Sequence, residues 1–285
     1  MFDLEITSRQ NPLVVRLAKL ADKRHRAAER MFLCEGIKLA EEAAEAGAVR
    51  YLLCTPDAAA LPRVQAVIRK ASETDGCTTV SVTREVMEKI STENAPQGVI
   101  AVCGMLDERH RDGAAELLLG SPLMILDRVR DPGNLGTIFR TAEAFGIKRL
   151  ALAGCADIYN PKTVRGSMGA LFSTESIAFA SAKDAVDAAK RVGYTVYGAA
   201  LDSSAVRLGE VSLCSDSAVV IGTEGEGIEP DTLAACDGTL YIPMCGGESL
   251  NCAVAASVIM WEMHRSRLLA TRLDKQCPKS SQNYD

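Results

Sequence analysis

The sequence has few histidines and lacks the residue spacings that are typical of metal centres. It contains ten cysteines but only three histidines in 285 residues. No two cysteines form a C-x-x-C pair, and no histidine lies beside a cysteine at ligand spacing, which argues against a metal site. Because most of the cysteines lie in apolar runs, we expect them to be reduced, small core residues.

Long hydrophobic runs are also missing. The apolar stretch from Cys252 to Trp261 is far shorter than the roughly 18 residues of a membrane span. The first six residues include two acids and lack the basic and apolar regions of a secretory signal. These absences predict a cytoplasmic protein without a membrane partner.

The composition is that of a folded protein, with 47% hydrophobic and 24% charged residues. The length fits about two domains at roughly 150 residues each. The net charge of -5 argues against a nucleic-acid partner, but residues 1–106 are neutral overall and the excess of acid lies in residues 107–285. The charge therefore has to be considered region by region.

Strand and helix patterns alternate in both parts of the chain. Residues 1–106 predict a small α/β domain, and the charged stretch at 107–118 is the predicted linker. Residues 119–270 indicate a mostly parallel sheet covered on both faces by helices. Its predicted strands are 123–126, 149–153, 194–199, 218–221 and 240–242. Residues 271–285 are polar and are predicted to form a disordered tail.

One segment of the first part is strongly basic. Asn11 and Pro12 offer a helix cap and a first-turn proline, and the leucine spacing that follows predicts a helix reaching Met31. A basic stripe occupies one face of this helix. The stripe consists of Arg16, Lys19, Lys23, Arg26 and Arg30. It is either a solvated face or a contact for nucleic acid, and evidence for a nucleic-acid partner elsewhere would favour the second.

Three segments of the second part combine glycine, asparagine and charge just after predicted strands, where open α/β sheets bind ligands. The first segment runs from Asp127 to Arg140. Its Pro132-Gly133 pair fits the centre of a type II turn, which would place Asn134 at the start of a helix. Taken alone, this segment is also typical of a capped turn with a surface arginine.

The second segment runs from Gly222 to Ile228 and the third from Tyr241 to Asn251. Their glycine spacing matches neither the dinucleotide-binding fingerprint nor the Walker pattern, which argues against a nucleotide-dependent oxidoreductase. Glu224 and Glu226 would repel a phosphate but tolerate a cation such as a sulfonium. In the third segment, Ser249 is predicted to cap a long apolar helix.

Together and in this order, the segments resemble the motifs of the SpoU (TrmH) family of RNA 2′-O-ribose methyltransferases, within the knotted SPOUT superfamily. The matching residues are Asp131 to Gly136 with Arg140-Thr141-Ala142, Gly222 to Gly225, Ile242-Pro243-Met244, and Ser249-Leu250-Asn251. The first part resembles the family's substrate-binding domain at Ile6-Thr7-Ser8, Glu35-Gly36 and Pro96-Gln97-Gly98.

The resemblance implies a C-terminal methyltransferase domain with a trefoil knot, a rare exception among folds, preceded by the small α/β substrate-binding domain. It also implies a homodimer, the cofactor S-adenosylmethionine, and ribosomal or transfer RNA as the substrate. The implied cofactor-binding residues are Gly222, Glu224, Gly225, Ile242, Met244, Leu250 and Asn251. Between Met244 and Ser249 this chain is one residue shorter than the common family pattern.

The implied reaction is attack of a ribose 2′-hydroxyl on the methyl group of the cofactor. The implied catalytic residues are Asn134, Arg140, Glu224, Ser249 and Asn251. Because an arginine side chain keeps its proton at neutral pH, Arg140 is better suited to orient the target phosphate and stabilise the developing alkoxide than to act as a base. With RNA as the expected substrate, the basic stripe and Arg165 become predicted RNA contacts.

The alternative is a non-catalytic RNA-binding or ribosome-binding protein that retains the SpoU fold. The presence of all five implied catalytic residues argues against this alternative, because RNA binding alone does not require them. The two hypotheses differ in one simple property, since only the enzyme needs affinity for S-adenosylmethionine.

Overall fold

The computed structural model describes residues 2–112, 119–223, 225–246 and 249–276, apart from the side chains of 112 and 270–276. The chain divides into two compact units. The first comprises Met1–Arg111, Arg130–Arg140 and Cys155–Glu175, and the second comprises Asp112–Val129, Thr141–Gly154 and Ser176–Asp285. Neither unit is continuous in sequence, because two segments that follow the predicted linker belong to the first one.

The first unit contains a mixed sheet whose described strands have the order β1, β4, β3, β5, β2. These strands are β1 (Leu4–Ile6), β2 (Met31–Glu35), β3 (Val49–Cys54), β4 (Thr78–Val82) and β5 (Val99–Gly104). The unit's helices are α1 (Pro12–Ala18), α2 (Lys23–Glu29), α3 (Ile37–Glu45), α4 (Pro56–Ala59), α5 (Pro62–Ser72), α6 (Arg84–Ile90), most of α7 (Pro132–Ala144), and α8 (Pro161–Ser167). Strand β4 pairs in parallel with β1 and β3, whereas β5 pairs antiparallel with β2 and β3.

The predicted helix from Pro12 to Met31 is interrupted, so the expectation of one continuous helix is wrong. After α1 the chain forms a 3₁₀ turn at Lys19–Ala21, and Asp22 then starts α2. The Asp22 carboxylate accepts a hydrogen bond from the backbone N–H of Arg24 at 2.7 Å, which lowers the pKa of Asp22. An aspartate favours such a cap over a place inside a helix, and this preference ends the first helix.

Aromatic contacts join the later segments of the first unit to its N-terminal strands. The rings of Phe32 and Tyr159 lie with their centroids 4.7 Å apart, and those of Phe32 and Phe172 lie 6.2 Å apart. His110 packs edge-on against Phe139, and burial lowers the pKa of His110 to about 4. The unit therefore has an aromatic cluster that draws on residues far apart in sequence.

The larger sheet, most of which lies in the second unit, has the strand order β11, β13, β10, β12, β7, β8, β9, β6 among the described residues. Its strands are β6 (His110–Asp112), β7 (Leu123–Asp127), β8 (Arg149–Ala153), β9 (Glu175–Phe179), β10 (Thr195–Ala199), β11 (Val206–Arg207), β12 (Ser217–Ile221) and β13 (Gly238–Tyr241). The ladders from β11 through β8 are parallel. The five predicted strands are confirmed, whereas β9 and β11 were not predicted, and β6 lies within the predicted linker.

The second unit is completed by α9 (Ala182–Arg191), α10 (Pro230–Ala235) and α11 (Cys252–Gln276). Ile125 and Val220 belong to the buried cluster that includes Ala185 and Ala189 of α9. Val219, which directly precedes Val220 in β12, is equally buried. Its side chain points to the other face of the sheet, where α11 contacts β12. The sheet is therefore buried on both faces, as its continuous apolar strands predict.

Helix α11 extends beyond the predicted end of the domain. Residues 271–276 are helical, so the predicted tail does not begin at Thr271, and the remaining tail residues 277–285 lie outside the described part of the chain. The polar composition of 271–276 is compatible with a helix as well as with a tail. No helix in the described ranges is long and apolar enough to cross a membrane.

Candidate active site

A cavity of about 390 Å³ opens in the second unit at the carboxyl ends of β10, β12 and β13, which are neighbours in the sheet. Its wall includes residues 199–201, 221–223, 226–228 and 240–242, together with Leu233, Met244, Ser249, Leu250, Cys252, Ala255 and Ile259. The volume lies within the range of small-molecule sites, about 300 to 1,000 Å³. The position agrees with the expectation that the glycine-rich segments after the strands form a ligand site.

The turn after β12 brings backbone close to this cavity. The N–H of Thr223 donates to the carbonyl of Gly227 at 3.3 Å, and the N–H of Gly227 donates to the carbonyl of Thr223 at 3.0 Å. A Cβ atom at Gly222 would lie 2.1 Å from the Gly227 oxygen, far inside van der Waals contact. Only glycine fits at 222, which explains why the segment begins with this residue.

The structure places four of the seven predicted cofactor-binding residues on the cavity wall. These are Gly222, Ile242, Met244 and Leu250. Gly225 is exposed and is not one of the wall residues of the described cavity, and Glu224 lies outside the described residues. Thr223 and Glu226 were not among the predicted cofactor-binding residues, although both line the cavity and belong to the same glycine-rich segment. Glu226 was predicted only to tolerate a cation.

The start of α11 differs from the prediction. Asn251 is the capping residue, since its Oδ1 accepts hydrogen bonds from the N–H groups of Ala253 at 2.9 Å and Val254 at 3.3 Å. Ser249 lies two residues further out and lines the cavity instead. The predicted Ser249 cap is wrong because Asn251, an equally strong capping residue, directly precedes the first helical residue.

In the first unit, α7 begins at Pro132, so the predicted type II turn at Pro132-Gly133 is wrong. Asp131 accepts a hydrogen bond from the Asn134 N–H at 2.9 Å and forms an ion pair with Lys162 at 2.9 Å. The Lys162 ammonium and the Asn134 N–H lower the pKa of Asp131. Proline in the first turn and an acid before it are standard features of a helix start, and here they outweigh the turn preference.

Arg140 projects from α7 two turns after this start. Its side chain is exposed and has no hydrogen-bond or ion-pair partner among the described residues. Most arginines in the unit that were predicted to bind RNA are instead paired with acids. Arg16 pairs with Glu29 at 2.8 Å, Arg30 pairs with Asp107, and Arg165 pairs with Glu93. Arg140 is thus available to an external anion.

The five residues of the predicted basic stripe are not equivalent. Lys19 and Lys23 are exposed, as expected of a binding surface. Arg26 is only 2% exposed: its guanidinium donates to the carbonyls of Leu20 and Ala21 and pairs with Asp157 at 2.6 Å. The prediction that Arg26 contacts RNA is therefore wrong, because its partners lie inside the protein.

Replacement of Arg26 should destabilise the first unit. Arg26→Met leaves Asp157 and two carbonyl groups without their donor, so the free energy of unfolding should fall by about 3 kcal/mol. Urea denaturation followed by circular dichroism measures this loss. Arg24→Met is the matched control, because Arg24 is exposed on the same helix and its loss should cost less than about 0.5 kcal/mol. Equal stability of the two variants would contradict the structural role.

Within the described residues, the fold is that of an α/β protein whose mostly parallel sheet has a cavity of small-molecule size at its carboxyl edge, and a second compact α/β unit is built mainly from the N-terminal part of the chain. Residues 121–261 match the SpoU rRNA methylase family, and residues 11–101 match an MRM3-like substrate-binding domain. A 23S rRNA (guanosine(2553)-2′-O)-methyltransferase of Bacillus subtilis is 31% identical over 261 residues, covering 91% of this chain and 98% of the relative. The chain belongs to the SpoU rRNA methylase family.

Solved structures give the same result. A protein of the TrmH family from Porphyromonas gingivalis is 32% identical with a TM-score of 0.76, covering 90% of this chain and 98% of that one. An rRNA methyltransferase from Sinorhizobium meliloti, solved with AdoMet bound, is 29% identical with a TM-score of 0.79, covering 92% of this chain and 98% of that one. Both likenesses extend over nearly the whole chain.

Proposed function

We propose that this protein is an S-adenosylmethionine-dependent methyltransferase that modifies the ribose 2′-hydroxyl of a nucleotide in ribosomal or transfer RNA. The observation that carries the proposal is the cavity built from the glycine-rich segments that also carry the family resemblance. The reaction type is supported by relatives that are 23S rRNA 2′-O-methyltransferases. The test is to map 2′-O-methyl groups in RNA from cells with and without the protein. An unchanged map would contradict the proposal.

The cavity suits S-adenosylmethionine in size and chemistry. Glycine at 222 allows the backbone at Gly227 to pack closely against it, and the side chains of Leu240, Ile242 and Leu250 provide apolar surface for an adenine ring. The carboxylate of Glu226, also on the wall, suits a positive charge. When bound, the cofactor supplies a methyl group already activated by its sulfonium, so the protein has to orient the reactants rather than activate the methyl.

Arg140 and Asn134 are proposed to act on the RNA. The exposed guanidinium of Arg140 is proposed to hold the phosphate next to the target ribose and to stabilise the 2′-oxygen as its proton passes to solvent water. Ser249 and Asn251 are proposed to shape the pocket, Asn251 by fixing the start of α11. Glu224, Gly225 and Met244 are proposed to contact S-adenosylmethionine, as the family resemblance implies.

The exposed lysines of the basic stripe are proposed to contact RNA phosphates. Lys19→Gln with Lys23→Gln should weaken binding to all RNAs alike. The slope of log K against the logarithm of the salt concentration should become shallower by about 2, which is about 1 for each lost phosphate contact. Fluorescence anisotropy over a range of salt concentrations measures this slope. Lys183→Gln with Lys190→Gln, two lysines of α9 that pair with acids, is the matched control. Equal slopes in both double variants would favour a solvated helix face.

A homodimer is proposed because α11 carries an exposed apolar stripe. Val254, Trp261 and Leu268 recur every seven residues and remain 49%, 48% and 49% exposed. Trp261→Glu would place a charge at the centre of this stripe and should convert the dimer into monomers. Sedimentation equilibrium should give about twice the 30.4 kDa chain mass for the wild type and for the control Trp261→Phe. A monomeric wild type would contradict the dimer.

The trefoil knot, the division into domains at 107–118 and a cytoplasmic location are further proposals taken from the resemblance and the sequence. A knot would shorten the denatured chain when its ends are pulled apart in an optical trap. Limited proteolysis would cut first within 107–118 if this stretch is a linker. Cell fractionation would test the location, and a membrane-bound pool would contradict it.

A further inference from the structure

Arg128, directly after β7, has an unusual backbone conformation for a long side chain. Its φ of 58° lies in the left-handed region, which glycine and asparagine adopt with less strain. Its N–H nevertheless donates to the Ala153 carbonyl at 2.7 Å, so the conformation is fixed by the sheet edge. Such an outlier next to a ligand cavity points to a role for the side chain.

The guanidinium of Arg128 connects the end of β7 to the loop between β12 and α10. Its Nη1 lies 2.8 Å from Oε2 of Glu226, and its Nη2 donates to the Gly227 carbonyl at 3.3 Å. Its Nε lies 3.0 Å from Oδ1 of Asp127 and 3.3 Å from Oε1 of Glu229. Asp127 is buried and accepts the Glu229 N–H at 3.0 Å, so the two side chains hold the loop together.

The anchored residues belong to the cavity wall. Glu226 and Gly227 both line the cavity, and the Gly227 carbonyl also closes the turn opposite Gly222. The Glu226 side chain is 68% exposed and has no other ion-pair partner among the described residues. Gly154 leaves room for this arrangement, because a Cβ there would lie 3.2 Å from Cγ of Arg128.

We propose that Arg128 is a positioning residue that holds residues 226–229 in the arrangement that completes the S-adenosylmethionine pocket. This inference rests on the proposed function, because it takes S-adenosylmethionine as the ligand of the cavity. Arg128 acts through Glu226 and Gly227. Its loss should therefore change the affinity for the cofactor and leave the chemical step and the KM for RNA unchanged.

The test is Arg128→Gly, which removes the guanidinium and suits the left-handed backbone, so the variant should fold. The Kd for S-adenosylmethionine should rise about tenfold by calorimetry, as for the loss of one charge-assisted hydrogen bond. The KM for the cofactor should rise equally, and kcat should stay within about twofold. Arg191→Gln, an exposed arginine of α9, is the control. A Kd that does not change in Arg128→Gly would overturn the proposal.

Two further measurements separate positioning from general destabilisation. Arg128→Gly should weaken cofactor binding less in a Glu226→Gln background than in the wild type, because the Arg128–Glu226 contact is already broken there, whereas equal losses in the two backgrounds would overturn the proposal. Arg128→Lys keeps the charge and should recover part of the affinity, and no recovery would count against the proposal.

Hydrogen exchange in the ligand-free protein tests the inference without the cofactor. Arg128→Gly should speed exchange of the amides at 226–229 about tenfold relative to Arg191→Gln. Unchanged exchange would overturn the proposal. If the wild type does not bind S-adenosylmethionine but the exchange effect is present, the proposed function fails while the anchoring role of Arg128 stands.

Discussion

Arg140→Ala should reduce methyl transfer by about 10³-fold, the loss expected when a group that stabilises developing negative charge is removed. Arg140 has no partner among the described residues, so its replacement breaks no internal contact and should leave the fold unchanged. The Kd for S-adenosylmethionine should stay within about twofold of the wild type. Transfer of a tritiated methyl group to RNA and calorimetric titration measure the two effects.

Arg140→Lys distinguishes the two roles available to Arg140. A lysine keeps the positive charge but lacks the planar fork that binds phosphate in two places, so partial activity indicates charge stabilisation and full loss indicates bidentate orientation. Arg84→Ala, an exposed arginine in the same unit but outside the basic stripe, is the control for nonspecific loss of positive charge. Near-normal turnover of Arg140→Ala would reject the catalytic role.

Gly222→Ala should weaken S-adenosylmethionine binding by about 10²-fold, because a displacement of the pocket wall by about 1 Å has effects of this size. The new Cβ would lie 2.1 Å from the Gly227 carbonyl oxygen. This oxygen belongs to the backbone, so no side-chain rotation can relieve the clash. The turn from 223 to 227 would have to move. Calorimetry on the purified variant measures the loss.

Gly238→Ala is the matched control for this prediction. It adds the same methyl group at the start of β13, outside the wall of the described cavity, where a Cβ would lie 3.6 Å from a Tyr197 ring carbon, an ordinary van der Waals distance, and φ is not positive. Its Kd should stay within about twofold of the wild type. If both variants bind the cofactor equally well, the close approach of 222 and 227 does not shape the pocket.

The strands and the ligand edge could be predicted because their signals are local. Buried parallel strands are continuous apolar runs, and glycine-rich segments directly after them mark the edge where ligands bind. Both signals lie within short stretches of sequence. The order of the three segments also predicted the protein family. The family resemblance of these stretches implied cofactor contacts at Gly222, Ile242 and Leu250, and all three residues line the cavity.

What could not be predicted depends on contacts between distant residues. Helical spacing places Arg26 on one face with four other basic residues. Its inward direction depends on its ion pair with Asp157, which lies 131 positions later in the chain. The left-handed backbone of Arg128 and its contact with Glu226 are equally invisible in a linear pattern. Where local signals did compete, at Asp22 and Asn251, the capping residue directly before the first helical residue determined the helix boundary.

The aromatic cluster and the Arg26–Asp157 pair bear on how such a protein can evolve. A fragment that begins after residue 118 would keep Asp157 and Tyr159 but lose Arg26 and Phe32. The N-terminal region therefore cannot be exchanged between relatives as an independent cassette unless these partners change with it. In such chains, RNA specificity should change through point substitutions on exposed faces. Interior residues that contact one another, such as Arg26 and Asp157, should change only together.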